Sequence, residues 1–250
     1  MSQLTLHQAL NKLFSSERDD LLLEACLSHP DLENFLKVNQ LNLSIQSLAH
    51  ALTHASFSHE YQVPHQELAE FFGDAVLQLI VTQELMRLYP LEKEGRLSKL
   101  RSTIVNEKTL AIVAKSLNLQ HLIFVGKGEF KKNTQSQDTV LSDSLEALIA
   151  KIYQFNGLED TSEKFLGWLK VALPQAFDLD QLEQFDAKSR LQERTLAKYK
   201  SLPRYLSEEI SQGFKVQLWI NEKLQAEGQF NSKKNGEREL AQQVLIKNEF

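Results

Sequence analysis

Cysteine is almost missing from this chain of 250 residues. Cys26 is the only one, so no internal disulfide can form, which fits a reducing compartment. A single cysteine in an apolar helical stretch reads as a packing residue. No apolar run approaches the roughly 20 residues of a membrane-spanning helix. The N-terminus lacks the basic-then-apolar layout of a secretory leader. Internal repeats and low-complexity segments are absent too. A soluble, globular, cytoplasmic protein is expected, of a length that holds one large or two modest domains.

Basic charge is also in deficit, with a formal net charge of −5. The deficit is uneven. From Asp186 onward there are 12 Lys and Arg against 9 Asp and Glu, a net +3, which leaves 16 against 24, a net −8, in the first 185 residues. The basic end is where a polyanion would dock, and its modest excess makes placement of the charges matter more than their number.

The acidic part carries two clusters, Glu67-x-x-Glu70-x-x-x-Asp74 and Asp143-x-x-Glu146. Both sit in apolar segments that read as helix. At about 100° per residue, the i, i+3, i+7 and i, i+3 spacings direct each set to one side of its helix. Phe71, Phe72, Ala75, Val76, Leu77, Leu79, Ile80 and Val81 flank the first cluster, while Leu145, Ala147, Leu148, Ile149 and Ala150 flank the second. A solvated acidic face is the ordinary reading of such spacing. In apolar company, however, a carboxylate is costly unless a cation or proton accompanies it. If the two helices pack together, five carboxyl groups converge, and they stay ionised only around a divalent metal. Gly73, mid-helix, costs about 1 kcal/mol relative to Ala and predicts close backbone approach by a neighbouring helix or ligand.

The stretch Gln66-Glu67-Leu68-Ala69-Glu70-Phe71-Phe72-Gly73-Asp74-Ala75-Val76-Leu77 resembles the ribonuclease III signature Asn-Glu-Arg-Leu-Glu-Phe-Leu-Gly-Asp-Ala/Ser-Val-Leu. Three further motifs follow that family in order: Ala51-Leu52-Thr53-His54-Ala55-Ser56, Gly95-Arg96-Leu97-Ser98-Lys99-Leu100-Arg101-Ser102 and Asp143-Ser144-Leu145-Glu146-Ala147-Leu148-Ile149. The likeness runs over roughly residues 33 to 250. It implies a mainly α protein, with an all-helical nuclease domain at 33–175 followed by a small α-β-β-β-α double-stranded-RNA-binding domain at 186–250. Residues 1–32, with short amphipathic helices around Leu6–Phe14 and from residue 19 to Leu27 and an end near His29-Pro30, form a helical extension. The acidic stretch 176–185 after Pro174 is a candidate linker.

The terminal segment changes period in keeping with this. A helix over 187–199 precedes strands at Tyr205–Ile210, Phe214–Ile220 (Phe214, Val216, Leu218 and Ile220 alternating) and Leu224–Phe230, and Ser232 caps a last helix running to about Lys247. In the family's fold, lysines at that helix start, here Lys233 and Lys234, grip phosphates, and the first helix reads 2′-hydroxyls in the minor groove. Ser211-Gln212-Gly213 is shorter than the family's Gly-Pro-x-His loop and lacks both Pro and His. Asn235-Gly236-Glu237-Arg238-Glu239-Leu240 replaces its alanine-rich run. In the nuclease signature, Asn has become Gln66 and Arg has become Leu68, and a family arginine just before the second cluster is Gln137. All five acidic positions stand.

The resemblance implies a homodimeric, Mg²⁺-dependent endoribonuclease, with Mn²⁺ as a substitute, that cuts double-stranded RNA. Its products carry 5′-phosphate and 3′-hydroxyl ends, and ribosomal-RNA precursors and structured messengers are the implied targets. Glu70, Asp143 and Glu146 match metal ligands, Asp74 and Glu146 match catalytic positions, and Glu67, Lys233 and Lys234 match substrate contacts. The chief alternative is a non-catalytic duplex-RNA-binding or ribosome-associated protein that keeps the fold, which loss of a carboxylate would favour. A di-iron bundle needs Glu-x-x-His pairs, and neither cluster has the histidine. A DNA nuclease fits poorly with a domain that reads 2′-hydroxyls. His54, His59 and His65 do not have zinc spacing and read as loop or capping residues. Gly126-x-Gly128 reads as a turn, and Trp168 and Trp219 as packing residues.

Overall fold

The computed structural model describes residues 4–15, 20–178 and 187–247. The chain forms two compact units, Met1–Phe177 and Asp178–Phe250.

The first unit is helical throughout. Its helices are α1 (Leu6–Ser15), α2 (Asp20–Leu27), α3 (Pro30–Val38), α4 (Ile45–Ala51), α5 (Ala55–Tyr61), α6 (Glu67–Leu88), α7 (Glu94–Ile104), α8 (Glu107–Ser116), the short α9 (Lys127–Lys131) and α10 (Asp138–Ala172). Among the described residues, extended pairing here is limited to an isolated bridge between Thr53 and Phe124. Side-chain caps set several helix starts: Ser44 accepts from the Ser47 amide, His54 from Ser56 and Asn106 from Thr109. Pro30 does more than end α2. It is the first residue of α3, where its missing N–H is harmless, and His29 caps that helix through the Asp31 amide.

The N-terminal helices pack onto this unit. Leu6, Leu10, Leu13 and Phe14 are buried, and the Leu6 amide donates to Asp31 Oδ2 at 2.8 Å. The His7 ring meets Phe130 edge-on at 5.0 Å, and Phe14 lies against Tyr61 and Phe130. Cys26 is buried as a packing residue, and desolvation pushes its thiol up to about 11.

Two long helices form the centre. α6 packs along α10, which also packs against α8. α10 is broken at Gly157, whose φ of 77° and ψ of −175° interrupt the helical path. The apolar residues that flank the first acidic cluster divide between two sides of α6. Ala69, Gly73, Val76, Leu77, Ile80, Val81 and Leu85 are buried. Leu68 and Phe71, by contrast, are 85% and 80% exposed, with Phe72, Leu79 and Met86 exposed on the same side. Among the described helices, α10 and α7 pack against α6 and leave that side uncovered. Gly126-x-Gly128 is also not a free turn. Gly126 opens α9, donates its amide to Ser56 Oγ at 2.9 Å, and a Cβ there would meet Glu60 Oε1 at 2.5 Å.

The second unit comprises α11 (Ala187–Tyr199), β1 (Arg204–Ile210), β2 (Gly213–Ile220), β3 (Lys223–Phe230) and α12 (Lys233–Lys247). The strands form an antiparallel sheet in the order β1-β2-β3. Ile210 pairs with Gly213 and Ile220 with Lys223, so both hairpin loops hold two residues. The second loop has positive φ at Asn221 and Glu222, which matches strand twist. In the first, Gly213 has a φ of 112° and a Cβ there would sit 2.4 Å from the Phe230 carbonyl oxygen. Val216, Leu218 and Ile220 point inward against Leu191, Leu240, Ala241 and Val244. Gly236 lets α12 approach the sheet, since a Cβ would meet Phe230 Cδ2 at 2.5 Å and Val216 Cγ2 at 2.7 Å. The helical unit and the α-β-β-β-α unit thus have the predicted fold class. Of the predicted linker, residues 176–178 follow α10 in a turn and 179–185 lie outside the described residues.

Candidate metal centre and nucleic-acid interface

Gly73 determines how the two acidic helices meet. A Cβ at this position would lie 1.9 Å from the carbonyl oxygen of Glu146, so only glycine lets α6 come this close to α10. The close approach predicted from a mid-helix glycine is therefore made by a helix, and by the segment of it that carries the second acidic cluster. Glu70, three residues before Gly73, is brought beside Asp143 and Glu146. Carboxylate oxygens of these three residues all lie within 4.8 Å of one another.

Crowding and burial act in one direction on their protons. Burial first, then the negative charges of Asp74, Asp143 and Glu70, push the Glu146 carboxyl up to about 8. Burial, followed by Asp143, Glu67 and Asp74, also raises Glu70. Asp143 is raised by burial, against a hydrogen bond from Ser142 that favours its ionised form. Three acidic oxygens in a half-buried pocket are an all-oxygen donor set. That suits a hard divalent cation such as Mg²⁺ or Mn²⁺ and lacks the nitrogen and sulfur ligands that zinc favours.

The other two predicted carboxylates stand apart from this trio. Asp74 is near enough to act electrostatically on Glu146, but both its oxygens accept from Gln78 Nε2, at 3.1 and 2.9 Å. Glu67 is mostly exposed, and its Oε2 lies 3.7 Å from His65 Nδ1. The expectation of five carboxyl groups at one point is thus corrected to three at the centre, one braced beside them and one at the rim. Helical spacing gives the direction of a side chain but not which neighbour holds it. His54 caps α5, the capping role expected of it, and the His65 carbonyl oxygen lies 2.8 Å from His50 Nε2.

Sequence reasoning missed three supports. Gln66 is buried, 2% exposed, and accepts a hydrogen bond at 3.1 Å from the wholly buried Ser144, beside Asp143. Gln78 braces Asp74. The signal for Gln66 was its departure from the family's Asn; nothing marked Ser144 or Gln78. In the second unit, Lys233 and Lys234 form the exposed start of α12, and Asn235 N–H donates to the Ser232 hydroxyl at 3.3 Å. Lys188 instead sits 2.6 Å from Glu237 Oε2 and over the Tyr205 ring.

A ribonuclease-III-like family profile matches residues 45–172, the stretch that holds all five carboxylates. Ribonuclease 3 of Borreliella afzelii is 35% identical over 239 residues, covering 93% of both chains. Ribonuclease 3 of Thermobifida fusca is 33% identical, covering 86% of this chain and 91% of its own. Among solved structures, the nuclease domain of ribonuclease III from Campylobacter jejuni is 36% identical with a TM-score of 0.54, covering 57% of this chain and 96% of that one. A second structure of that domain, at 35% identity and the same TM-score, concerns flexibility in its dimer-forming region. The chain belongs to the ribonuclease III family of endoribonucleases.

Proposed function

We propose that this protein is a Mg²⁺-dependent endoribonuclease that cuts both strands of duplex RNA, leaving 5′-phosphate and 3′-hydroxyl ends. The convergence of Glu70, Asp143 and Glu146 carries the reading. These three would hold the ion, with Mn²⁺ able to replace Mg²⁺. A bound ion supplies charge neutralisation at the phosphate, an acidified water and relief for the departing oxygen.

The chain's own groups do the rest. Glu146, pushed up to about 8, would have to give up its proton to hold a cation, so metal affinity would rise with pH. Asp74 accepts from Gln78 on both oxygens, which orients its carboxylate and supports a role in aligning the attacking water and taking its proton. Glu67, at the rim, is placed to meet substrate beside the cut. Lys233 and Lys234 present two cations where the α12 dipole is positive, which suits phosphate contact.

The exposed apolar side of α6, with Leu68 and Phe71 at its head, supports assembly as a homodimer, each copy cutting one strand. No described helix is long and apolar enough to cross a membrane. Action in the cytoplasm on ribosomal-RNA precursors and structured messengers completes the proposal. The non-catalytic alternative would predict a broken cluster, and none of the five carboxylates is lost.

Labelled duplex RNA incubated with the purified protein in Mg²⁺ or in excess chelator tests this. Discrete cleavage in Mg²⁺ and none in chelator is expected. Equal cutting in both, or none in either, overturns it.

A further inference from the structure

Besides the Gly73 approach, a second contact joins the two acidic helices, and its geometry gives it a function. The Gln66 carbonyl oxygen accepts from the Ala69 amide at 2.8 Å and from the Glu70 amide at 2.9 Å, so Gln66 starts the turn that presents Glu70. Its own amide donates to the Thr53 carbonyl oxygen at 3.0 Å. Its side chain then crosses to α10 and accepts from Ser144 Oγ at 3.1 Å. Ser144 follows Asp143 directly and precedes Glu146 by two residues. Both partners are buried, so no water competes for the bond.

We propose that Gln66 and Ser144 are a positioning pair that fixes the spacing of the carboxylates on α6 and α10 and thereby sets the affinity for a divalent ion. The inference rests on the metal reading of that cluster. The Gly73 contact and the Gln66–Ser144 bond lie about 10 Å apart along α6 at 1.5 Å per residue, and Glu70 falls between them. The glycine contact is a steric stop, which prevents the helices from moving closer but not from sliding or rolling. The hydrogen bond is directional and blocks both motions. The family signature has Asn at the position of Gln66 and leaves the position of Ser144 open. Gln has one methylene more than Asn, and here that length reaches the neighbouring helix.

Mn²⁺ titrated calorimetrically into the metal-stripped full chain tests the proposal, with thermal unfolding measured on the same samples. Ser144→Ala leaves Gln66 Oε1 without its donor, and Mn²⁺ binding is expected to weaken roughly tenfold, the lower end of what outer partners of metal ligands contribute. The double variant Gln66→Leu with Ser144→Ala replaces both polar partners with apolar groups. Its thermal midpoint should recover most of what Ser144→Ala loses, while Mn²⁺ binding stays weak. Affinity that recovers along with the thermal midpoint overturns the proposal, because the bond then serves stability alone. Should the double variant not fold, Ser144→Ala decides the matter, and unchanged Mn²⁺ affinity overturns the pairing. If the unsubstituted chain binds no Mn²⁺, the metal reading fails together with the proposal. If it binds and Ser144→Ala binds equally well, only the positioning role fails.

Discussion

The first unit hides its decisive charges, and the second displays them. Glu70, Asp143 and Glu146 are negative groups forced together in a half-buried pocket, where burial and mutual repulsion work against ionisation. Lys233 and Lys234 are positive groups standing in water at the start of α12. A buried like-charge cluster is unfavourable until a ligand neutralises it, so its geometry must be enforced by the fold. An exposed pair is nearly free of such enforcement and works by long-range attraction. Damage to the two regions should therefore differ in kind: the first loses chemistry while holding RNA, and the second loosens its hold while keeping its chemistry.

The sharpest way to break that contrast is Glu146→Gln. It keeps the shape and removes the charge that a cation needs. Cleavage should fall by more than the roughly 10–100-fold typical of an outer partner of a metal ligand, while duplex-RNA binding in a gel-shift assay stays near that of the unsubstituted chain. Retained cleavage would remove Glu146 from the site. Gly73→Ala comes next. Its Cβ has no room beside the Glu146 backbone, so the helices must part, at a cost of about 1–3 kcal/mol as for other overpacked contacts. Thermal midpoint and cleavage should fall together; an unchanged pair of values means the helices do not pack as described.

These two residues show how the sequence and the structure divide the information. The carboxylates of α6 and α10 were legible because helical spacing and apolar company are local properties, and Gly73 was legible because a mid-helix glycine requires a reason. That its neighbour is Glu146 was not legible, since the contact joins positions 73 apart in sequence. The Gln66–Ser144 bond was hidden for the same reason. Glu67 was expected to converge with the others and turns to His65, because periodicity sets a direction only to within a helix face. The apolar company of the carboxylates was legible too, but not that Leu68 and Phe71 stand in solvent: apolarity signals burial without naming what buries it. In the second unit, the strand alternation of Phe214 to Ile220 and the Ser232 cap sufficed, because short hairpins are local throughout.

Changing both Lys233 and Lys234 to Ala should weaken duplex-RNA binding and lower the steepness of its salt dependence by about 1 per lysine. Cleavage at low salt with saturating enzyme should persist. A salt slope that does not move places the RNA on another face. A pH effect should appear in metal-free protein. Glu146 holds its proton up to about 8 when folded, whereas the unfolded group has an ordinary value of 4.5. Between these values the folded chain binds more protons, so stability falls as pH rises. In chelator the thermal midpoint should drop on going from about pH 5 to about pH 8, and Glu146→Gln or saturating Mg²⁺ should flatten the drop. A midpoint that climbs over that range contradicts the burial of this group.

The turn between β1 and β2 is two residues long, and at about 3.3–3.6 Å per extended residue it protrudes too little to enter a groove. If the first helix of this unit meets RNA as the family resemblance implies, a duplex would be held through α11 and the tip of α12 without a third contact from that turn. Two points of support fix a line and leave rotation about it free, whereas a third would have locked the orientation.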